Sequence, residues 1–102
     1  MEYFQIAYDY AEAGESQKAI ENYDEAIRLD PQDSINYNNR GWVYAILGQY
    51  ERAIQDFDEA IRLDPQDASA YYNRGNSYEA LGKSREAERD FQKANAAYFQ
   101  RK

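Results

Sequence analysis

The decapeptide DEAIRLDPQD begins at Asp24 and recurs, all ten residues unchanged, at Asp58. Ten consecutive identities do not arise by chance, so a unit of 34 residues repeats along the 102-residue chain. Sliding the sequence by that period aligns far more than the decapeptide. Gly14, Gly48 and Gly82 fall in register, as do Tyr3, Tyr37 and Tyr71, then Tyr10, Tyr44 and Tyr78, then Tyr23, Phe57 and Phe91. Small residues align too: Ala7 with Gly41 and Gly75, Ala19 with Ala53 and Ala87, Ala26 with Ala60 and Ala94. Three units cover residues 1–33, 34–67 and 68–102, with no linker left over. A chain built this way folds by stacking one local structure on itself.

Each unit reads as two helices. After "PQD", apolar groups recur at helical spacing, as at Tyr37, Gly41, Tyr44 and Leu47. The aligned glycine then marks a left-handed cap and a turn. Ser16 and Ser84 are positioned as N-caps of the second helices. In the second helix of the middle unit, Ala53, Ile54, Phe57, Ala60, Ile61 and Leu63 form one apolar stripe. Pro31 and Pro65 stop the second helices, because the residue before proline avoids the α region. Asp33 and Asp67 can cap the helices that follow. Gly41 and Gly75 lie inside helices, where glycine costs about 1 kcal/mol relative to alanine. Close approach of a second helix, which any side chain would block, is the expected compensation.

Composition narrows the function. There is no Cys and no His, which removes thiol chemistry, the commonest metal ligand and the commonest general base. No metal or cofactor is expected. Net charge is −7, against a nucleic-acid surface. The N-terminal stretch lacks a basic start followed by an apolar run, and the longest apolar run, Trp42 to Leu47, is too short to cross a bilayer. A cytoplasmic location is therefore the expectation. Acid pairs such as Asp56 and Asp58 lie two apart on a helix and point to different faces, so they cannot share a proton as a catalytic dyad does. No catalytic residue is assigned, and the chain is read as non-enzymatic. Residues 1–33 hold nine acids and two bases, residues 68–102 four acids and seven bases, so charge runs from an acidic head to a basic tail.

The aligned residues resemble the tetratricopeptide repeat family, whose 34-residue unit carries a W-x2-L-G-x2-Y … A-x3-F … P pattern. The second unit reads Tyr37, Arg40, Gly41, Tyr44, Ala53, Phe57 and Pro65 at those places, and the third Tyr71, Arg74, Gly75, Tyr78, Ala87 and Phe91 without the proline. The first reads Tyr3, Ile6, Ala7, Tyr10, Ala19, Tyr23 and Pro31. Tyrosine stands for tryptophan, and Arg40 and Arg74 for leucine. Those arginines read as structural, each laying its stem along the hairpin and pairing with a nearby acid. The resemblance implies an all-α, right-handed α-solenoid of three antiparallel helical hairpins.

It also implies a concave groove, lined by the first helix of each unit, that takes a peptide. Transferring groove positions residue by residue gives Phe4, Tyr8, Asn38, Asn39, Trp42, Tyr72, Asn73 and Asn76, with Ala11, Ile35, Ala45, Ser69 and Glu79 beside them. Amides can bond a peptide backbone and aromatic rings can anchor its side chains. One branch of the family holds C-terminal carboxylates of chaperone tails with two lysines, two asparagines and an arginine. The matching residues here are Phe4, Tyr8, Asn39, Ser69 and Asn73, of which only Asn39 agrees. Chaperone tails are therefore not expected. Because the first two units carry −10 between them, the expected partner is a basic or neutral protein segment, with neither nucleic acid nor membrane. The last unit turns polar where a fourth would meet it, through Glu88, Asn95 and Ala97. That favours a monomer, with head-to-tail assembly as the alternative role. The lost proline lets the last helix run on toward Arg101 and Lys102, whose charge suits its negative end, while Met1 starts almost inside the first helix.

Overall fold

The computed structural model describes the backbone of residues 2–101 and the side chains of residues 2–100. The expectations placed on Met1, on Lys102 and on the Arg101 side chain lie outside these. Six helices follow one another: α1 (Tyr3–Glu12), α2 (Ser16–Leu29), α3 (Ser34–Ile46), α4 (Tyr50–Leu63), α5 (Ala68–Ala80) and α6 (Ser84–Arg101). They pair as α1/α2, α3/α4 and α5/α6, and each hairpin packs on the next, which makes an all-α solenoid.

Each hairpin turns at its aligned glycine. Gly14, Gly48 and Gly82 have φ of 80°, 78° and 78°, a region closed to most side-chain-bearing residues. The Gly14 N–H bonds the Ala11 carbonyl at 3.1 Å and the Glu15 N–H bonds that of Tyr10 at 2.9 Å. This pair of bonds is a Schellman motif, and the other two hairpins repeat it. It also moves the start of the next helix. The residue after glycine has committed its N–H backwards, so its carbonyl faces forward and opens the helix: Ala19 donates to Glu15, and Ala87 to Lys83, each at 3.0 Å. Ser16 and Ser84 are consequently first helical residues rather than caps.

The repeated decapeptide is the joint between hairpins, and most of its residues have work there. Asp30 Oδ1 accepts from the Gln32 N–H at 3.3 Å, bending the chain. Asp33 Oδ1 accepts from the Ile35 N–H at 3.0 Å and caps α3, as Asp67 does for α5 through Ser69 at 3.0 Å. The Pro31 carbonyl accepts the Tyr37 hydroxyl at 3.1 Å, and Pro65 that of Tyr71 at 3.0 Å. One segment thus ends a helix, starts another and anchors the next repeat's first tyrosine.

Close packing matches the small-residue register. A Cβ at Gly41 would stand 2.7 Å from Phe57 Cε1, and one at Gly75 2.6 Å from Phe91 Cε1. These helices touch where a methyl group does not fit. Ala7, Ala19, Tyr23, Val43, Ala53 and Phe57 are fully buried around those contacts. Of the three residues read as a polar end, Glu88 and Asn95 are exposed, but Ala97 is buried. Loss of the proline lets α6 run on past Ala97, which aligns with the last residues of α2 and α4, to Arg101.

Arg40 is held by two hairpins at once. It forks onto Asp56 through Nε (2.9 Å) and Nη2 (2.7 Å), and its Nη1 reaches Asp24 on the preceding hairpin at 2.9 Å. Arg74 repeats the pattern with Asp90 (2.8 Å twice) and Asp58 (2.9 Å). Both guanidiniums are pushed above the usual arginine value, chiefly by the hydrogen bonds to Asp56 and Asp90. Burial raises the Asp56 carboxyl, with Arg40 pulling it partly back. Ile6, Asn22 and Gln92 stand where this ladder would otherwise continue.

Candidate functional site

Stacking three hairpins lines up the first helices, and their shared face carries two adjoining depressions. The smaller, about 280 Å³, is lined by Tyr8 and Glu12 of α1, Asn38, Asn39 and Trp42 of α3, and Ser69 and Asn73 of α5. The larger, about 410 Å³, is lined by Trp42, Ala45 and Ile46 of α3, Tyr50 of α4, and Tyr72, Asn73, Asn76, Ser77 and Ala80 of α5. Trp42 and Asn73 border both, so the two form one groove divided by an indole ring and an amide.

Side-chain hydrogen bonds stiffen its floor. Asn38 Nδ2 donates to Ser69 Oγ at 3.1 Å, and Asn73 Nδ2 donates to Asn38 Oδ1 at 3.1 Å. Asn38 is itself buried, so this bridge holds α3 to α5 and is spent on the protein's own structure. Asn76, and the hydrogen-bonding capacity that Asn39 and Asn73 do not spend on Tyr23 and Asn38, remain for a ligand. Trp42 is half-buried and packs against the core, so groove wall and core packing meet in one side chain. Beneath the smaller depression lies Tyr23, fully buried, with a hydroxyl that makes no hydrogen bond of ordinary geometry. Burial, then proximity to Tyr8 and Glu12, raises its pKa to about 12, an effect the neighbouring Asn39 amide offsets only in part. The lining contains no Lys or Arg, and its one carboxylate is Glu12.

Seven of the eight groove residues named from sequence meet here: Tyr8, Asn38, Asn39, Trp42, Tyr72, Asn73 and Asn76. Phe4 does not join them. It sits at the start of α1 and lines a separate depression of about 170 Å³ with Tyr3, Ala26, Leu29 and Asn36, where α2 ends and α3 begins. Sequence reasoning missed Glu12, Ile46, Ser77, Ala80 and Tyr50. The first four lie four residues beyond Tyr8, Trp42, Asn73 and Asn76, one turn along the same face, so extending the stripe by i+4 finds them. Tyr50 arrives only because the Gly48 turn brings the start of α4 to the groove edge. The arginines read as structural are so: both point into the hairpin joints.

The architecture defines a class, the helical-hairpin repeat proteins with a concave face built from first helices. Family models described as tetratricopeptide repeat match residues 1–33 with 68–100 and, separately, 22–55, and one described as TPR repeat matches 41–82. The chain belongs to the tetratricopeptide repeat family. No curated protein matches it significantly. Among solved structures, the second TPR of Spaghetti (RPAP3), bound to the HSP90 peptide SRMEEVD, is similar at 29% identity and TM-score 0.91, covering 93% of this chain and 88% of that one. The second TPR domain of human RPAP3 in complex with the HSP70 peptide SGPTIEEVD is similar at 29% identity and TM-score 0.90, over 94% and 80%. MamA is similar at 28% identity and TM-score 0.92, over 97% of this chain and 58% of that protein.

Proposed function

We propose that this chain is a non-enzymatic interaction module that holds an extended, basic or neutral segment of a partner protein in the groove of α1, α3 and α5. The observation that carries the reading is the continuous groove itself: aromatic rings and amides from all three first helices, with no cation among its lining residues. Trp and Tyr are enriched among binding hot spots, and the amides beside them can bond a peptide backbone. The two RPAP3 domains are described with acidic EEVD peptides. This groove has no lysine or arginine to hold such a tail, so the same fold is proposed here with the opposite charge preference. Fluorescence titration of Trp42 with a peptide array tests it. Basic and neutral heptapeptides should bind, and SRMEEVD should bind at least about tenfold more weakly. Equal affinity for SRMEEVD and its basic counterparts would overturn the charge preference.

A second reading, end-to-end assembly of the same stack as a scaffold, is favoured by one observation. Aromatics are exposed at both ends, Phe4 at the head and Phe99, 70% exposed, at the tail. Sedimentation at low salt separates the two readings: a monomer over a hundredfold concentration range (roughly from micromolar upward) supports the module, and growth that Phe99→Ser abolishes supports the scaffold.

A further inference from the structure

The smaller depression brings two aromatic rings and a carboxylate together on one surface, with no Lys or Arg in its lining. At five tyrosines outside the groove the protein lays its own cations over the ring: Lys18 over Tyr10 at 5.6 Å, Arg40 over Tyr37 at 5.9 Å, Arg52 over Tyr44 at 4.8 Å, and Arg74 over both Tyr71 (5.7 Å) and Tyr78 (5.9 Å). Tyr8 and Trp42, the two aromatic rings of this depression, have no such partner among the described residues. Tyr8 is nonetheless 45% exposed and accessible to one. Glu12 lies one helical turn beyond Tyr8 and lines the same depression. It takes part in none of the ion pairs formed among the described residues, although lysines and arginines pair with acids throughout the chain.

We infer that the depression walled by Tyr8, Glu12 and Trp42 receives a cationic side chain, arginine or lysine, of the bound peptide. A guanidinium or ammonium there lies against aromatic faces, which attract it through the ring quadrupole, while Glu12 supplies the counter-charge. The opposite wall is fixed in advance, because Asn38 is bonded to Ser69 and Asn73 and cannot turn in to compete. The volume of about 280 Å³ admits such a side chain. The field at its base has the required sign, since the Glu12 carboxylate disfavours an anion at the buried Tyr23 hydroxyl. The larger depression, walled by Tyr72, Ala45, Ile46 and Ala80, has no carboxylate and takes an apolar neighbour of that cation. The assignment rests on the groove reading above, and its test keeps the two apart.

An array of randomised heptapeptides, probed with the whole chain, identifies binders. Each is then resynthesised with citrulline for arginine, or acetyl-lysine for lysine, and titrated by Trp42 fluorescence. Basic residues should be enriched at one fixed position, and neutralising that position should weaken binding about tenfold, the combined effect of a cation–π contact and a partly exposed ion pair. In Glu12→Gln, whose exposed site leaves the fold intact by circular dichroism, the penalty should shrink to about threefold. Asn76→Ala, in the other depression, should weaken the charged and neutralised peptides alike. Binders without a basic position, or an undiminished penalty in Glu12→Gln, overturn the cation pocket and leave the groove reading standing. An array with no binder overturns the groove reading and the pocket with it.

Discussion

Tyr23 occupies the place that Phe57 and Phe91 hold in the other repeats, and its buried hydroxyl makes no hydrogen bond of ordinary geometry, with only the Asn39 amide nearby. A polar group left unsatisfied in a protein interior costs about 1–3 kcal/mol. Tyr23→Phe should therefore stabilise the protein by about 1 kcal/mol at neutral pH, read as a higher urea midpoint. The same residue has a pH signature. Its folded pKa of about 12 lies above the ordinary 10.0, so the native state keeps a proton that the unfolded chain gives up first. The stability tied to that proton is complete below the ordinary value and is lost as pH rises toward the folded one. The advantage of Tyr23→Phe over the natural chain should therefore grow by roughly 2–3 kcal/mol between about pH 9 and about pH 12; parallel curves would place the hydroxyl in solvent. Gly75 is the other telling residue. Its absent Cβ makes room for the Phe91 ring, so Gly75→Leu forces the hairpin apart and should cost about 1–3 kcal/mol or more. An unchanged urea midpoint would refute the close approach.

Among elements, two arginines, Arg40 and Arg74, each bind a hairpin to the one before it. The arginine ladder ties α3 to α2 and α4, and α5 to α4 and α6, with one acid of each set buried and the other in solvent. The two acids should differ sharply when tested. Arg74→Met strands the buried Asp90 carboxylate and should cost about 3–5 kcal/mol. Asp58→Asn removes only the exposed end of the fork and should cost at most about 1 kcal/mol. Chemical denaturation of the two variants checks this, and comparable losses would mean that both ends are equally desolvated. The decapeptide is identical in two joints because the same side chains meet the same neighbours there. Asp24 and Asp58 each reach the next arginine, and Pro31 and Pro65 each take the next tyrosine hydroxyl.

At the scale of the whole molecule, the stack turns three ordinary helices into one groove, and Trp42 belongs to both stack and groove. It divides the two depressions and packs on the core, so truncation should be felt twice. Trp42→Ala should lower peptide affinity by about 2 kcal/mol or more. It should also lower stability by about 2 kcal/mol, less than the 3–5 kcal/mol of a fully buried tryptophan. Iodide should quench the free indole part-way. Complete shielding would remove it from the groove, and complete quenching would remove it from the core. From sequence Trp42 reads as a groove residue, and its half-burial against the core adds a packing role.

Local chemistry written into the sequence determined the hairpins. A glycine that alone tolerates positive φ, an aspartate that caps, a proline that ends a helix and apolar residues at helical spacing all act within a few residues of one another. Their recurrence every 34 residues therefore announced six helices and a stack. The missing Cβ of Gly41 and Gly75 was legible for the same reason, since glycine inside a helix demands a neighbour that needs the space. Tertiary structure decided whatever depends on which faces end up opposed. It drew Asn38 into a bridge with Ser69 and Asn73 and out of the ligand's reach. It sent Phe4 to a separate depression where α2 ends and α3 begins, and it buried Ala97 on α6. It also brought Tyr50 to the groove through the Gly48 turn, and set Trp42 of α3 in the same depression as Tyr8 and Glu12 of α1. Spacing along one helix fixes a side chain's direction, but only the packing of three hairpins fixes what that side chain meets.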